Sequence, residues 1–223
     1  MKANIFKRFS QTLFTLVIQG VFLFLSAWTL DWFWGWIYMI TGVVLLIFNL
    51  FVLPGEVIEE RGRKKTNVKK WDKLLSAINA FPIMGIYIVS GLDYRLGWSA
   101  ELANYIHIIG LILYISGSLL FTWSMIANKF FSTMVRIQTD RNHQVVTKGP
   151  YQFVRHPGYV GFILMFIVTS IVLGSLYALI LSGIVTLILI IRTALEDQTL
   201  KAELEGYTEY AGKVKYRLLP FIW

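Results

Sequence analysis

No cysteine occurs among the 223 residues of the sequence. Its absence excludes disulfide bonds, thiolate metal sites and cysteine nucleophiles. Charged residues are also scarce, at 15% of the chain, whereas soluble domains contain about 25%. Apolar residues reach 56%. This composition excludes intrinsic disorder, which needs low hydrophobicity and high net charge, and it counts against a water-soluble enzyme.

Several signatures of binding sites are missing as well. The three histidines, His107, His143 and His156, do not have the spacing of zinc ligands on a helix. No glycine-rich phosphate loop, G-x-S-x-G or G-x-G-x-x-G occurs. A transporter needs paired charges near the bilayer midplane, and the apolar runs hold none. The formal charge of +8 in so apolar a chain indicates contact with lipid headgroups rather than with nucleic acid.

Long apolar runs predict membrane-spanning helices, since a span needs about 20 apolar residues. Four runs meet this requirement, at 13–30, 33–53, 74–92 and 105–126. A fifth run, 159–191, is too long for one straight crossing, and Gly174 and Ser175 lie near its middle. We predict a helical hairpin with arms at 159–173 and 176–192. One kinked helix is the alternative.

Basic residues are distributed unevenly along the chain. They gather at the N-terminus, in the loops 55–73 and 127–158 and in the tail, while the two remaining connections hold only Arg95. The positive-inside rule therefore places both termini and both loops in the cytoplasm. The tail and loop 127–158 share one side only if 159–192 crosses twice. We predict an all-α integral membrane protein with about six crossing segments, the last two a hairpin, and a cytoplasmic C-terminal helix.

The chain divides into two regions. Residues 1–126 form a four-helix membrane region with few polar groups, which serve contacts between helices. Residues 127–223 comprise a loop, the hairpin and the tail, and they hold most of the polar residues that could carry chemistry. We predict that the two regions form a single catalytic unit.

Polar residues cluster where the hairpin begins and where it ends. The beginning reads Q-T-D-R-N-H-Q-V-V-T-K-G-P-Y-Q-F-V-R-H-P-G-Y at 138–159, and the end reads R-T-A-L-E-D at 192–197. Arg192 and Glu196 share one helix face. Polar groups are costly near a membrane, so the cluster predicts a site at the cytoplasmic mouth of a cavity. Interfacial residues with an intrahelical ion pair are the alternative interpretation.

The stretch G-P-Y-Q-F-V-R-H-P-G-Y-V-G at 149–161 resembles the motif of the isoprenylcysteine carboxyl methyltransferase and phospholipid methyltransferase superfamily. These integral membrane enzymes use S-adenosylmethionine (SAM). The tail is similar too, with acids at 196–197, Gly206-Tyr207 and a closing L-P-F-I at 219–222. The resemblance covers about residues 128–223 and implies a SAM-dependent methyltransferase. It makes 127–223 the cofactor-binding catalytic region.

The resemblance also implies roles for individual residues. It implies that Glu196 holds the ammonium or a ribose hydroxyl of SAM, that Arg192 orients the methyl acceptor, and that no metal takes part. The tail after Glu196 is expected to contain an amphipathic cytoplasmic helix that caps the cofactor. The other residues that the resemblance implies at the SAM pocket are Gln138, His143, Gln144, Val145, Val146, Tyr151, Arg155, His156, Pro157, Gly158 and Tyr159.

Arg192 bears on the class of the acceptor. A guanidinium orients a carboxylate through its planar fork and repels the cationic precursor of an amine. We therefore expect a membrane-partitioning acceptor with a carboxylate, prenylcysteine-like by resemblance. The absence of cysteine and the short loops favour a prokaryotic plasma membrane as the location. A phospholipid amine or small thiol is a second possible acceptor. The alternatives of another class are a nicotinamide-dependent membrane reductase, which shares R-H-P-x-Y, and a non-enzymatic scaffold or transporter.

Overall fold

Eight α-helices make up most of the computed structural model, which describes residues 2–223, with side chains from residue 4 onward. No β-strand occurs among these residues, so the predicted all-α architecture is confirmed. In chain order the helices are α1 (Lys2–Ala27), α2 (Phe33–Val52), α3 (Gly55–Gly62), α4 (Lys70–Leu96), α5 (Asn104–Ala127), α6 (Pro157–Val172), α7 (Leu176–Glu203) and α8 (Tyr207–Lys213).

Five of the described helices are long and apolar enough to cross a membrane: α1 from Asn4 onward, α2, α4, α5 and α7. The four runs predicted in the first part of the chain correspond to α1, α2, α4 and α5. α4 continues through Pro82 as one helix. α6 is also apolar, but it has 16 residues, fewer than the roughly 20 that a full crossing needs.

α6 and α7 form the predicted hairpin. Three residues join them, and Gly174 in this turn has a φ of +75°. Ser182 on α7 donates to the carbonyl oxygen of Phe166 at 2.9 Å and lies 2.8 Å from the hydroxyl of Ser170. These contacts hold the two helices side by side in opposite directions. The second arm continues to Glu203 instead of ending at 192.

Two segments outside the spans contain structure that the sequence interpretation did not describe. Loop 55–73 includes a short helix, because Gly55–Gly62 fold as α3. The tail contains the expected C-terminal helix, but the chain breaks after Glu203 and α8 begins at Tyr207. Gly206 takes a φ of +79° at this break, a left-handed conformation that costs glycine little.

α5 and α6 approach each other closely. A Cβ atom on Gly161 would lie 2.4 Å from the carbonyl oxygen of Gly117. Small residues permit such close packing between membrane helices, where packing rather than hydrophobic burial drives association. The contact holds α6, which begins within the R-H-P-G-Y motif, against α5.

The C-terminal segment is tied back to the start of α6. The backbone N–H groups of Arg155 and His156 donate to the carbonyl oxygens of Tyr216 and Arg217, both at 2.9 Å. Arg155 Nη1 donates to two further carbonyl oxygens of the same segment, at 2.8 and 2.7 Å. The tail therefore closes over the end of the hairpin.

Candidate active site

A cavity of about 600 Å³ lies where α4, α6, α7 and α8 meet the loop between α5 and α6. Its volume is in the range of small-molecule sites. Pro157, the first residue of α6, is the one residue of the predicted site that does not line the wall. The predicted residues that do line it are Gln138, His143, Gln144, Val145, Val146, Tyr151, Arg155, His156, Gly158, Tyr159, Arg192 and Glu196.

Glu196 keeps part of its carboxylate available to the cavity. The hydroxyl of Tyr159 donates to Glu196 Oε2 at 2.6 Å. Oε1 has no hydrogen-bond partner in the part of the chain that the structure describes. The intrahelical ion pair with Arg192, which the sequence left open, is not formed. Tyr159 thus fixes one carboxylate oxygen and leaves the other for a ligand.

Arg192 is held by a residue 120 positions earlier. Its Nε donates to Asp72 Oδ1 at 2.6 Å, and its Nη2 donates to Asp72 Oδ2 at 3.3 Å and to the carbonyl oxygen of Thr133 at 3.1 Å. Asp72 is fully buried and also accepts from the backbone N–H of Val135 at 2.7 Å. Nη1 of Arg192 has no hydrogen-bond partner among the described residues, so it remains as the donor toward the cavity.

Asp197, the next residue after Glu196, is fully buried and surrounded by donors. Arg155 binds it through two nitrogens, with Nε 2.6 Å from Oδ1 and Nη2 3.1 Å from Oδ2. The remaining partners of the carboxylate are Tyr207 at 3.0 Å, Arg217 at 3.0 Å, Lys201 at 3.1 Å and His156 at 3.4 Å. We call Asp197 with these five partners the Asp197 cluster.

Arg155 and His156 lie in the cavity wall as predicted, but their polar atoms are engaged by the protein. Arg155 binds Asp197 and the C-terminal segment. His156 Nε2 lies between Asp197 and the hydroxyl of Tyr207, at 3.4 and 3.3 Å. Both side chains therefore shape the wall and join α6, α7 and the tail.

The loop between α5 and α6 forms an uncharged part of the wall at His143. Gln138 folds the loop, because its Nε2 donates to the carbonyl oxygen of Phe130 at 2.5 Å and its Oε1 accepts from Arg141 at 2.8 Å. Burial, together with the charges of Arg136 and Arg141, lowers the pKa of His143 to about 4. The imidazole is thus neutral at pH 7 and does not repel a cation.

Comparison with known proteins shows a similarity to one family of membrane enzymes. A model of the isoprenylcysteine carboxyl methyltransferase (ICMT) family matches residues 109–202, which contain the loop, the motif and Glu196. Protein-S-isoprenylcysteine O-methyltransferase B of Arabidopsis thaliana is 31% identical over 116 residues, or 51% of this chain and 58% of the relative. The chain is thus similar to the ICMT family over this region, and it spans less than two thirds of the length of this relative.

Two more ICMT relatives extend this result. The protein-S-isoprenylcysteine O-methyltransferase of Schizosaccharomyces pombe is 37% identical over 59 residues, which are 26% of this chain and 25% of the relative. A solved structure, described as the eukaryotic intramembrane Ras methyltransferase ICMT, superposes with a TM-score of 0.54 at 19% identity, covering 92% of this chain and 74% of the other. The shared fold and the apolar helices make this chain an integral membrane protein.

Sequence reasoning missed two residues of the cavity region. Asp72 binds Arg192, and its signal was an acid just before a long apolar run, where a charge is costly. Arg61 on α3 lines the cavity, and nothing in the sequence distinguishes it from the six other basic residues of loop 55–73. Both were hidden because their partners are far away in the chain.

Proposed function

We propose that this protein is a membrane-embedded, SAM-dependent methyltransferase that methylates the carboxylate of an isoprenylcysteine-like acceptor. The names of the curated relatives support the reaction, and the part of the chain that the family model matches, residues 109–202, contains many of the residues that line the cavity. The observation that carries the proposal is the meeting of the motif residues, Glu196 and Arg192 in one cavity of about 600 Å³.

The residues of the cavity fit SAM, which is a cation with a polar amino-acid end and a flat base. Oε1 of Glu196 is an unpaired acceptor suited to an ammonium or a hydroxyl. His143 is neutral, and Val145 and Val146 provide apolar wall beside it. When bound, SAM supplies an electrophilic methyl group on its sulfonium. We assign its binding to these residues together with the wall at Tyr151, Gly158 and Tyr159.

The chain's own contribution is positioning. Arg192, anchored by Asp72 and Thr133, presents Nη1 to an acceptor carboxylate. Such a carboxylate is already ionised at neutral pH, so no general base is needed. Tyr159, whose ring centroid lies 5.5 Å from Arg192 Cζ, holds Glu196 through a 2.6 Å bond. Placing reacting atoms about 3–3.5 Å apart and in line supplies most of the rate enhancement that such a site needs.

We assign the cofactor residues to region 127–223, while α3 and α4 complete the acceptor side. The distribution of basic residues supports cytoplasmic termini and a cavity that opens to the cytoplasm. The cysteine-free chain with short connections supports a prokaryotic plasma membrane, although the relatives come from plants and fission yeast.

Calorimetric titration of the detergent-purified protein with SAM tests the proposal, with NADPH titrated in parallel. We expect micromolar SAM binding, which Glu196→Ala abolishes and the exposed control Glu209→Ala retains. NADPH should not bind. A folded wild-type protein that binds NADPH in place of SAM, or neither compound, would contradict the methyltransferase assignment.

A further inference from the structure

α3, the loop between α5 and α6, and α7 each contribute arginines to the cavity. Arg61 differs from the others in its lack of a carboxylate partner among the described residues. Arg136, Arg155 and Arg192 are each paired with a carboxylate. Arg61 has no ion pair or hydrogen bond in the part of the chain that the structure describes. Its guanidinium instead lies between two aromatic rings, with Cζ 5.5 Å from the centroid of Phe121 and 5.4 Å from that of Phe131.

The surrounding contacts hold α3 in place. Glu60, which is 1% exposed, binds Arg136 at 3.1 Å and Lys65 at 3.4 Å. The charge of Glu60 is therefore already paired with other cations. Gly62 packs directly on α1, since a Cβ atom there would overlap the carbonyl oxygen of Asn4. Arg61 consequently lies where α3 meets α1.

A second cavity of about 270 Å³ shares this location. It is bordered mainly by apolar residues of α1, α2, α5 and α6. Arg8 and Arg61 line both cavities, together with Phe121 and Phe162. Arg8, like Arg61, has no ion pair among the described residues. The wall shared by the two cavities thus carries two positive charges without a counter-ion.

Uncompensated charge at this wall is costly. A guanidinium removed from water needs a partner to offset its desolvation. Burial, with the positive charges of Arg8 and Arg192 nearby, lowers the pKa of Arg61 to about 9, so it stays protonated at pH 7. Arg192 adds little net charge, because Asp72 neutralises it. An anion between the cavities would therefore be attracted mainly by Arg61 and Arg8.

We propose that Arg61, assisted by Arg8, binds the carboxylate of an amphiphilic acceptor whose apolar chain occupies the second cavity. The inference rests on the proposed function, because that function requires an acceptor with a carboxylate. In this proposal Arg61 attracts the carboxylate of the acceptor, and Arg192 orients that carboxylate. Two guanidinium groups would then hold one carboxylate from two sides.

The test measures binding without SAM, so that it is independent of methyl transfer. The probes are N-acetyl-S-farnesyl-cysteine and its carboxamide, titrated into the purified protein in neutral detergent. Wild type is expected to prefer the carboxylate by about tenfold or more, since bonds to charged groups contribute about 1.5–3 kcal/mol. Arg61→Gln should remove this preference while leaving carboxamide binding unchanged, and Arg61→Lys should restore part of it.

Arg63→Gln is the matched control, because Arg63 lies at the end of the same helix but is exposed and paired with Glu59. It should keep the wild-type preference. A preference that survives Arg61→Gln in a folded protein, or a wild type that does not prefer the carboxylate, would overturn the proposal. Added phosphatidylglycerol distinguishes a bound lipid headgroup. If it displaces the probe from wild type at stoichiometric amounts, and phosphatidylcholine does not, the site belongs to an anionic lipid and not to the acceptor.

The two proposals can fail separately. Absence of SAM binding or of methyl transfer, with the carboxylate preference intact and dependent on Arg61, contradicts only the proposed function. SAM-dependent methylation by an Arg61→Gln variant with unchanged KM for the acceptor contradicts only the role of Arg61.

Discussion

Glu196 and Asp197 are adjacent on α7, but they lie in two different regions of the molecule. Glu196 faces the cavity and has one donor, Tyr159. Asp197 is fully buried in the Asp197 cluster and joins three segments of the chain. Successive residues on a helix point in directions about 100° apart, so one acidic pair can serve both a binding site and a structural junction. A carboxylate with spare acceptor capacity is suited to a ligand, whereas a saturated one holds the fold.

Removing Asp197 should have the largest effect. Asp197→Ala leaves Arg155 buried without its counter-ion, and breaking such a pair costs about 3–5 kcal/mol. We expect a strongly lowered unfolding temperature in detergent and protease sensitivity of the C-terminal tail. Asp197→Asn, which keeps one acceptor oxygen, should be milder. Wild-type stability in Asp197→Ala would show that the cluster is not structural.

Asp72→Ala should cause the second-largest loss of stability. It removes the partner of Arg192, which is only partly exposed, and we expect a loss of about 2–4 kcal/mol in unfolding free energy. Because the released Arg192 loses its orientation, KM for the acceptor should rise while SAM affinity changes little. A combined Asp72→Ala and Arg192→Met variant should recover stability but not acceptor binding, as measured by thermal unfolding and acceptor titration.

Glu196→Gln tests whether Glu196 serves the binding of SAM and not the stability of the fold. The variant keeps the size of the side chain and an acceptor for Tyr159, so the unfolding temperature should stay within a few degrees of wild type. SAM affinity should fall about 10- to 100-fold, which corresponds to roughly 1.4–2.7 kcal/mol. Calorimetry and thermal unfolding on the same preparation measure both quantities. Lost stability with intact SAM binding would reverse the roles of the two acids.

The smallest expected effect is a pH dependence that comes from His143. Its pKa is about 4 in the folded protein and about 6.5 when unfolded. As the pH falls below 6.5, the unfolded state takes up this proton first, so stability decreases until about pH 4. The loss is on the order of 1–3 kcal/mol. His143→Gln should flatten this part of the stability profile, and an unchanged slope would contradict the neutral imidazole.

Part of this picture could be predicted from the sequence. The apolar runs predicted α1, α2, α4 and α5 because a run of about 20 apolar residues suits a membrane crossing. The hairpin followed from its basic flanks and from Gly174. The resemblance at 149–161 indicated the residues that meet in the cavity.

The rest depends on contacts between distant residues. The Asp72–Arg192 pair joins positions 120 apart, and no local pattern predicts it. The bonds from Arg155 to the tail join positions 59 and 60 apart, which no local pattern predicts either. α3 was missed because it has eight residues, of which only Val57 and Ile58 are apolar side chains, so it forms no apolar run. The break between α7 and α8 was not predicted, because a single glycine, Gly206, decides where it lies.

The most direct measurement incubates the purified protein with methyl-labelled SAM and N-acetyl-S-farnesyl-cysteine. It then asks whether base releases the label as methanol, because base cleaves a methyl ester but not an N-methyl or S-methyl group. We expect base-labile label with wild type, about 10- to 100-fold less with Glu196→Gln when SAM is kept below the wild-type Kd, and none with the carboxamide probe. Base-stable label, or equal transfer by Glu196→Gln, would contradict the assignment of a carboxyl methyltransferase with Glu196 at its cofactor site.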